Sequence, residues 1–266
     1  MFLDRRGLFT ALGVACLAAW ISACTTRPCR AQQWVDTRVS GPFVCRAEFP
    51  LDDLDGLLRE LAQIQVDLTR YLGIPAARQP IDLYLFRDQN SYARFVKQRL
   101  PDVPYRRALY VKSRGSAVVL AYRSREFETD VRHECTHALL HAALPLVPLW
   151  LDEGLAEYFE VPRRQRVFDN PHLSTLRWNL LLGSGVTLES LEKQGDWSKM
   201  GRSEYRYSWA WVHFLLHGPN EAYRELVGYL ADIQANTPPG DLSQRLNRRV
   251  PSVQRRFAAH FRSWKR

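Results

Sequence analysis

Apolar residues repeat every three or four positions from Leu51 to Leu72, which predicts an amphipathic helix. Gly73 follows this run directly and is the residue type that most often ends a helix. Polar and apolar residues alternate from Ile81 to Phe86, and this pattern predicts a strand with one buried face. Another strand is predicted from Phe43 to Phe49, so the chain begins with strands joined by a helix.

Two further elements are predicted between residues 88 and 122. Asp88 is placed to cap a short helix, whose apolar residues are Tyr92, Phe95 and Val96. Leu109–Lys112 and Ala117–Tyr122 are largely apolar runs separated by the polar segment Ser-Arg-Gly-Ser. Two such runs around a short glycine-containing turn predict a β-hairpin.

From residue 126 onward the pattern becomes helical. One helix is predicted from Phe127 to Ala143, because Pro145 and Pro148 prevent its continuation, and the next begins near Leu149. Further helices are predicted at Pro171–Leu182, Ser203–Leu216, Glu221–Ala235, Asp241–Leu246 and Ser252–Phe261. Strands first and helices afterwards favour an α+β fold with a small N-terminal mixed sheet. We expect a mostly helical part from about residue 165, within a domain that spans residues 43–266.

The N-terminal residues have the pattern of an export signal. A charged head is followed by an apolar run from Leu8 to Ile21, which is short of the roughly 20 residues that span a bilayer. The run ends at Ile-Ser-Ala-Cys, which resembles a bacterial lipobox. This predicts a signal peptide over residues 1–23, acylation of Cys24, and a linker over residues 24–42. The expected protein is a cell-envelope lipoprotein, tethered by its lipid on the periplasmic face of the outer membrane. The alternatives are an uncleaved anchor and an ordinary signal peptide in which the position of Cys24 is accidental.

Cysteine content and charge add little to this picture. Cys29 and Cys45 could form a disulfide in an oxidising periplasm, or both could be free thiols. Cys135 is expected to pack in the hydrophobic core. The chain has 37 Lys and Arg against 28 Asp and Glu, a formal net charge of +9. The basic residues are scattered and no nucleic-acid-binding module is recognisable, so nucleic acid is not an expected partner.

The segment His133–His137, His-Glu-Cys-Thr-His, carries the clearest chemical signal. Residues four apart share a helix face, so both imidazoles can reach one metal ion. Glu134 then lies beside the ion, where a general base for water is needed. The metzincin pattern is excluded, because Leu140 and Ala143 stand where that class has Gly and His. Glu153, on the following helix, is available as a third ligand.

Residues 150–160, Trp-Leu-Asp-Glu-Gly-Leu-Ala-Glu-Tyr-Phe-Glu, resemble the second zinc motif of gluzincin metallopeptidases. The likeness is to the membrane alanyl aminopeptidases and the peptidase MA-like bacterial proteins, and it covers roughly residues 126–160 with a looser match at 205–216. It implies a zincin-like fold, Zn²⁺ as cofactor, Glu153 as the third zinc ligand, and hydrolysis of peptide or protein substrates. The spacer between the motifs is shorter than in the aminopeptidases. No Gly-x-Met-Glu-Asn-type segment is present, so aminopeptidase specificity is not implied.

Several neighbouring side chains are candidates for supporting roles. Glu157 lies one turn beyond Glu153 and is suited to orient His133, or else is a solvated carboxylate. Asp152 and Glu160 are expected to face solvent.

The resemblance also implies a tyrosine that stabilises the oxyanion. Tyr205 matches the family position better than Tyr207, and packing within the helical part is the alternative for both. His141 is too far along the helix from His133 to share its ion and is expected to be structural.

His213 and His217 are four apart, but no acidic residue lies nearby, so we expect them to be structural. The aromatic residues of the same region, Trp209, Trp211, Phe214 and Tyr223, are expected in the core.

Two alternatives to a peptidase remain open at this stage. One is a lipoprotein that keeps a zincin scaffold as a binding or assembly module without turnover. The other is a zinc amidase acting on cell-wall peptide, with the same metal chemistry and a different cleft.

Overall fold

A computed structural model describes residues 33–113 and 116–265 of the chain. From Trp34 onward these residues form one compact unit. The expected signal peptide, Cys24 and Cys29 lie outside the described residues. Among the helices that are described, none is both long and apolar enough to cross a bilayer.

Five strands of the described chain form one mixed sheet: β1 (Asp36–Ser40), β2 (Phe43–Ala47), β3 (Ile81–Phe86), β4 (Ala108–Ser113) and β5 (Ser116–Tyr122). Their order across the sheet is β1-β2-β3-β5-β4. The three central strands, β2, β3 and β5, are parallel to one another, while β1 pairs antiparallel with β2 at one edge and β4 pairs antiparallel with β5 at the other. The predicted hairpin is thus confirmed as β4–β5.

The helices dominate the second half of the described chain. In order they are α1 (Asp55–Leu72), α2 (Gln89–Arg99), α3 (Phe127–Ala143), α4 (Leu149–Phe159), α5 (His172–Leu181), α6 (Leu188–Glu192), α7 (Arg202–His217), α8 (Asn220–Gln234), α9 (Leu242–Arg249) and α10 (Val253–Ser263). Single 3₁₀ turns lie at Asp52–Leu54 and Trp197–Lys199. The predicted α+β class is confirmed.

Local signals determine the C-terminus of α1 and the N-terminus of α2, as expected. Gly73 adopts a left-handed conformation, with φ of 65°, and closes α1 through its backbone N–H. The Asp88 side chain accepts a hydrogen bond from the backbone N–H of Ser91 and caps α2. Both ends are therefore encoded within a few residues of the chain.

Two elements are absent from the sequence-based prediction. β1 lies inside the segment 24–42 that was predicted as a linker, so ordered structure begins before residue 43. Its residues alternate between half-buried and exposed, and its one large apolar side chain, Val39, is 72% exposed. Pairing with β2 defines this strand, because its own side chains bury too little apolar surface to signal it. The short helix α6 was also not predicted.

The two faces of the sheet carry different helices. Leu83 and Leu85 of β3 belong to the main core with α1 and α3, whereas Tyr84 and Phe86 point the other way and pack with α2. This alternation follows from the two-residue period of a strand. Helix α3, which carries the His-Glu-Cys-Thr-His segment, therefore lies on the larger core face, against β4 and β5.

Helices α4 and α7 cross with almost no space between them. A Cβ atom on Gly154 would lie 2.6 Å from the backbone oxygen of Ser208, well inside ordinary contact distance. Only glycine permits this approach of the two backbones. The crossing connects the helix that bears Glu153 to the helix that bears Tyr205.

The C-terminal helices bury the aromatic residues that were expected in the core. Trp209, Trp211 and Phe214 are almost fully buried, whereas Tyr223 is only half-buried. Cys45 and Cys135 are buried free thiols, and the expected core role of Cys135 is confirmed.

The two histidines of α7 have structural surroundings. The His213 ring contacts the backbone oxygen of Val167 at 2.9 Å and the His260 ring at 3.0 Å, and burial lowers the pKa of His213 to about 3. His217 bonds to the hydroxyl of Tyr158, and burial lowers its pKa to about 4. Their expected structural role agrees with these contacts.

Candidate metal centre

His133, His137 and Glu153 converge on one point. The two histidines lie one turn apart on α3, and the glutamate reaches them from α4. The Nε2 atoms of the two histidines are 3.1 Å apart. The Glu153 carboxylate oxygen Oε2 is 3.5 Å from Nε2 of His133 and 3.6 Å from Nε2 of His137.

These three atoms have the spacing of zinc ligands. Zinc bonds of about 2.0–2.1 Å in a tetrahedron put neighbouring ligand atoms roughly 3.3 Å apart, close to the three observed separations. A triangle with these sides has a point roughly 2.0 Å from all three corners, which equals the zinc bond length. Two imidazoles and one carboxylate are also the donor set of catalytic zinc sites that leave one position open. The residues present therefore fit a zinc ion.

A carboxylate holds the far side of each imidazole. Nδ1 of His133 donates to Glu160 at 3.0 Å, and Nδ1 of His137 donates to Asp152 at 2.8 Å. These bonds turn both Nε2 atoms toward the shared point and fix the tautomer that a metal ligand needs. Asp152 and Glu160 were expected to face solvent, and this expectation is wrong. Their side chains are only 13% and 18% exposed.

Glu157 has a different partner from the one expected. Its carboxylate accepts a hydrogen bond from His172 at 2.7 Å, and the Nδ1 partner of His133 is Glu160 instead. Glu157 stays near the site, since it forms a group with His133 and Glu160 whose ligand atoms lie within 4.8 Å of one another. Because α3 and α4 run in opposite directions, His133, the first histidine of α3, contacts Glu160, at the C-terminal end of α4. The helical period alone does not specify such a crossing.

Asp152 also connects the centre to His141. Its second oxygen accepts a hydrogen bond from Nε2 of His141 at 2.8 Å, and the His141 ring stacks on Tyr110 of β4 at 5.6 Å. Asp152 therefore bridges His137 and His141 and is held in place from both sides. His141 was expected to be structural, and its hydrogen bond to Asp152 agrees with that expectation.

The charges of the centre are strongly coupled. Burial alone lowers the pKa of His137, but Asp152 and Glu153 outweigh it and raise the pKa to about 10. Burial alone would lower the pKa of His133 as well, but the carboxylates of Glu153 and Glu160 outweigh it and raise the pKa. Burial acts to raise the pKa of Glu153, yet the two imidazoles hold it well below its usual value. A cation that binds here would therefore displace protons from His133 and His137.

Glu134 faces a cavity beside the two histidines. One of its carboxylate oxygens accepts a hydrogen bond from the backbone N–H of Tyr110 in β4, at 2.8 Å. The cavity holds about 290 Å³, and its walls include His133, Glu134, Tyr205, Arg106, Arg107 and Asp130. Anchoring by the edge strand thus holds Glu134 beside the open space where a substrate would meet the metal.

The structure separates the two candidate tyrosines. Tyr207 is 1% exposed and donates a hydrogen bond to the backbone oxygen of Ser184 at 2.6 Å, so it is a packing residue. Tyr205 lines the cavity. Burial and the nearby charge of Glu153 raise the pKa of Tyr205, which keeps its hydroxyl protonated and able to donate. Of the two candidate tyrosines, Tyr205 is thus the one that lines the cavity.

The sequence comparisons find no relative for this chain. No family model matches it, and no curated protein matches it. In a comparison of folds, the chain is similar to the crystal structure of the M1 zinc metallopeptidase from Deinococcus radiodurans, with a TM-score of 0.48 and 14% sequence identity. The match covers 88% of this chain and 52% of that one, so the chain spans about half the length of the matched protein. Such a likeness concerns the course of the chain, and the chemistry of the site is inferred from its own side chains.

Proposed function

We propose that this protein is a zinc-dependent peptidase that hydrolyses peptide bonds in its cavity. The main support is the convergence of His133, His137 and Glu153, whose ligand atoms lie as far apart as those of a tetrahedral zinc site. The cavity beside it holds a carboxylate and a tyrosine hydroxyl, which are the two further groups that peptide hydrolysis requires.

Each residue has a distinct role in the proposed reaction. When bound, zinc supplies a Lewis acid that polarises the scissile carbonyl and activates a water as nucleophile at neutral pH. Glu134 takes the proton from the attacking water and passes it to the leaving amine. The hydroxyl of Tyr205 donates a hydrogen bond to the oxyanion that develops on the carbonyl. Asp152 and Glu160 hold the two imidazoles in the productive orientation.

We further propose that the mature protein is a lipoprotein, acylated at Cys24 and tethered at the periplasmic face of the outer membrane. The support is the apolar run that ends in Ile-Ser-Ala-Cys in the sequence. Labelling with a radioactive fatty acid tests this directly. Label is expected on the wild type and absent from the Cys24→Ser variant.

The Glu134→Gln variant tests the catalytic role. It is expected to bind zinc like the wild type and to lose at least about 100-fold in kcat, because it cannot accept the proton of the water. Glu189→Gln is the matched control, since Glu189 lies on α6 as an exposed partner of Lys193 and outside the cavity. Glu153→Ala is expected to lose zinc, measured as metal content of the purified protein.

The outcomes separate the proposed activity from its alternatives. Turnover by Glu134→Gln at the wild-type rate would exclude this mechanism. A wild-type protein that holds zinc but cleaves no peptide in a chelator-controlled screen would favour the binding-module alternative. Cleavage confined to cell-wall peptides would favour the amidase.

A further inference from the structure

Arg106 stands out among the residues that line the cavity. It precedes β4 by two residues and is exposed to solvent. The carbon atom at the centre of its guanidinium group lies 4.6 Å from the centre of the Trp197 ring, so the arginine rests against an aromatic surface. Trp197 is itself 52% exposed, on the 3₁₀ turn between α6 and α7. An exposed arginine that lines the cavity thus packs on an exposed tryptophan, and we name these two residues the Arg106–Trp197 pair.

The neighbouring arginine is already neutralised. Arg107 forms an ion pair with Asp130 at 3.0 Å, on the same cavity wall. Arg106 forms no ion pair with any carboxylate of residues 33–113 and 116–265. Its positive charge therefore faces the cavity without an ion-pair partner, although the carboxylates of Glu134, Glu157 and Glu160 line the same cavity. Arg106 is also near enough to Tyr205 to oppose the rise in that residue's pKa.

The guanidinium of Arg106 lies over the Trp197 ring and is bound to no carboxylate of the described chain. A guanidinium that packs a flat face on an aromatic ring keeps its N–H donors pointing outward in its plane. Those donors form a fork that matches the two oxygens of a carboxylate. The Trp197 ring also restricts the motion of the arginine, which reduces the entropy lost on binding.

The position along the chain gives the distance to the reaction. Tyr110, which holds Glu134 through its backbone N–H, is four residues beyond Arg106. Extended chain rises about 3.3 Å per residue, so the backbone of Arg106 lies within roughly 13 Å of the backbone of Tyr110 and roughly 16 Å of the Glu134 carboxylate. Arg106 and Glu134 also line the same cavity. A group bound by Arg106 would therefore belong to a substrate residue within a few positions of the cleaved bond.

We propose that the Arg106–Trp197 pair binds a carboxylate of the substrate, so that the enzyme prefers peptides with a negative charge close to the cleaved bond. The carboxylate is either the side chain of Asp or Glu or the free C-terminus of the peptide. This inference depends on the proposed peptidase function, and it names the substrate class for that site.

The test uses matched pools of synthetic decapeptides. One pool contains Glu and has free C-termini, a second has Gln in place of every Glu, and a third carries C-terminal amides. Cleavage sites and kcat/KM are measured for the wild type and for Arg106→Gln. Arg255→Gln is the control, because Arg255 is exposed on α10 and does not line the cavity.

The expected result is a loss that depends on substrate charge. Arg106→Gln should lower kcat/KM for the preferred acidic pool about 10-fold, as for a charge-assisted bidentate contact, and leave uncharged peptides within about two-fold. If the wild type loses its preference when Gln replaces Glu in the peptides, the bound carboxylate is a side chain. If it loses the preference when the C-termini are amidated, the bound carboxylate is the C-terminus. Arg106→Lys should recover only part of the preference, because ammonium lacks the planar fork. Arg106→Glu should reverse the preference toward peptides that contain Lys.

A binding measurement separates this inference from the peptidase proposal. The same pools are titrated into zinc-loaded Glu134→Gln protein, with and without the additional change Arg106→Gln, and bound peptides are identified by mass spectrometry. Enrichment of acidic peptides that needs Arg106 supports the pair even if no turnover is found. Equal loss for acidic and neutral peptides, or no effect of Arg106→Gln in either assay, would overturn the inference while leaving the peptidase proposal standing.

Discussion

Gly154 offers a sharp test of how the centre is built, because its replacement by alanine adds a single methyl group. That methyl would lie 2.6 Å from the backbone oxygen and 2.8 Å from the backbone carbon of Ser208, and 2.8 Å from Cγ2 of Val212. Two of the three atoms belong to the backbone of α7 and cannot turn aside as a side chain would. The helices must therefore separate.

The cost follows from two opposing contributions. Overpacking of this kind costs about 1–3 kcal/mol. Alanine in a helix interior gains about 0.5–1 kcal/mol over glycine. We expect a net loss of about 1–2 kcal/mol in the free energy of unfolding. The loss of activity should be larger, since a shift of about 1 Å in a catalytic group costs on the order of 100-fold in rate.

The assay combines urea unfolding, zinc content and kcat for Gly154→Ala. Gly228→Ala is the matched control, because Gly228 lies inside α8 and its added Cβ would have only the end of Arg245 nearby, at 4.0 Å. This control should gain about 0.5–1 kcal/mol in stability and keep its activity. Zinc content should be retained in both variants, since Glu153 stays on its own helix.

A Gly154→Ala protein as stable and as active as the wild type would refute this reasoning. The close crossing of α4 and α7 would then not be what places Tyr205 beside the metal ligands. If Gly154→Ala loses stability but keeps its full kcat, the close packing of α4 and α7 contributes to stability, and only its proposed effect on the cavity is refuted.

Three further predictions concern the charges of the candidate metal centre. Asp152→Asn is expected to weaken zinc affinity about 10–100-fold in competition with a chelating dye, because His137 loses its charged partner, and unchanged affinity would contradict the assigned role. Zinc affinity should also rise between pH 6 and pH 8, because the raised pKa values keep His133 and His137 protonated without metal, and a flat profile would argue against this charge arrangement. The raised pKa of His137 also makes the stability of the metal-free protein depend on pH. Protonated His137 stabilises the fold, so the free energy of unfolding should fall as the pH rises from about 6.5, the ordinary pKa of histidine, to about 10, its pKa in the folded protein.

Local sequence determined the elements and the first part of the site. The amphipathic repeat of α1, the glycine that ends it and the Asp88 cap are properties of neighbouring residues, and all three are found as predicted. The four-residue spacing of His133 and His137 places both on one helix face whatever surrounds the helix. Glu153 was predicted as third ligand from its place on the following helix and from the motif resemblance, and the structure brings its carboxylate to the two imidazoles.

Tertiary structure decided which acids support the ligands and where the sheet begins. Helical period alone favoured Glu157 as the partner of His133, but the antiparallel crossing of α3 and α4 brings Glu160 to His133 and Asp152 to His137. The edge strand β1 exists because β2 offers it hydrogen bonds, and its own residues carry little apolar signal. The physical reason is common to these cases. Spacing along one element follows from backbone geometry, whereas a contact between elements depends on the angle at which they pack, which no single stretch of the chain contains.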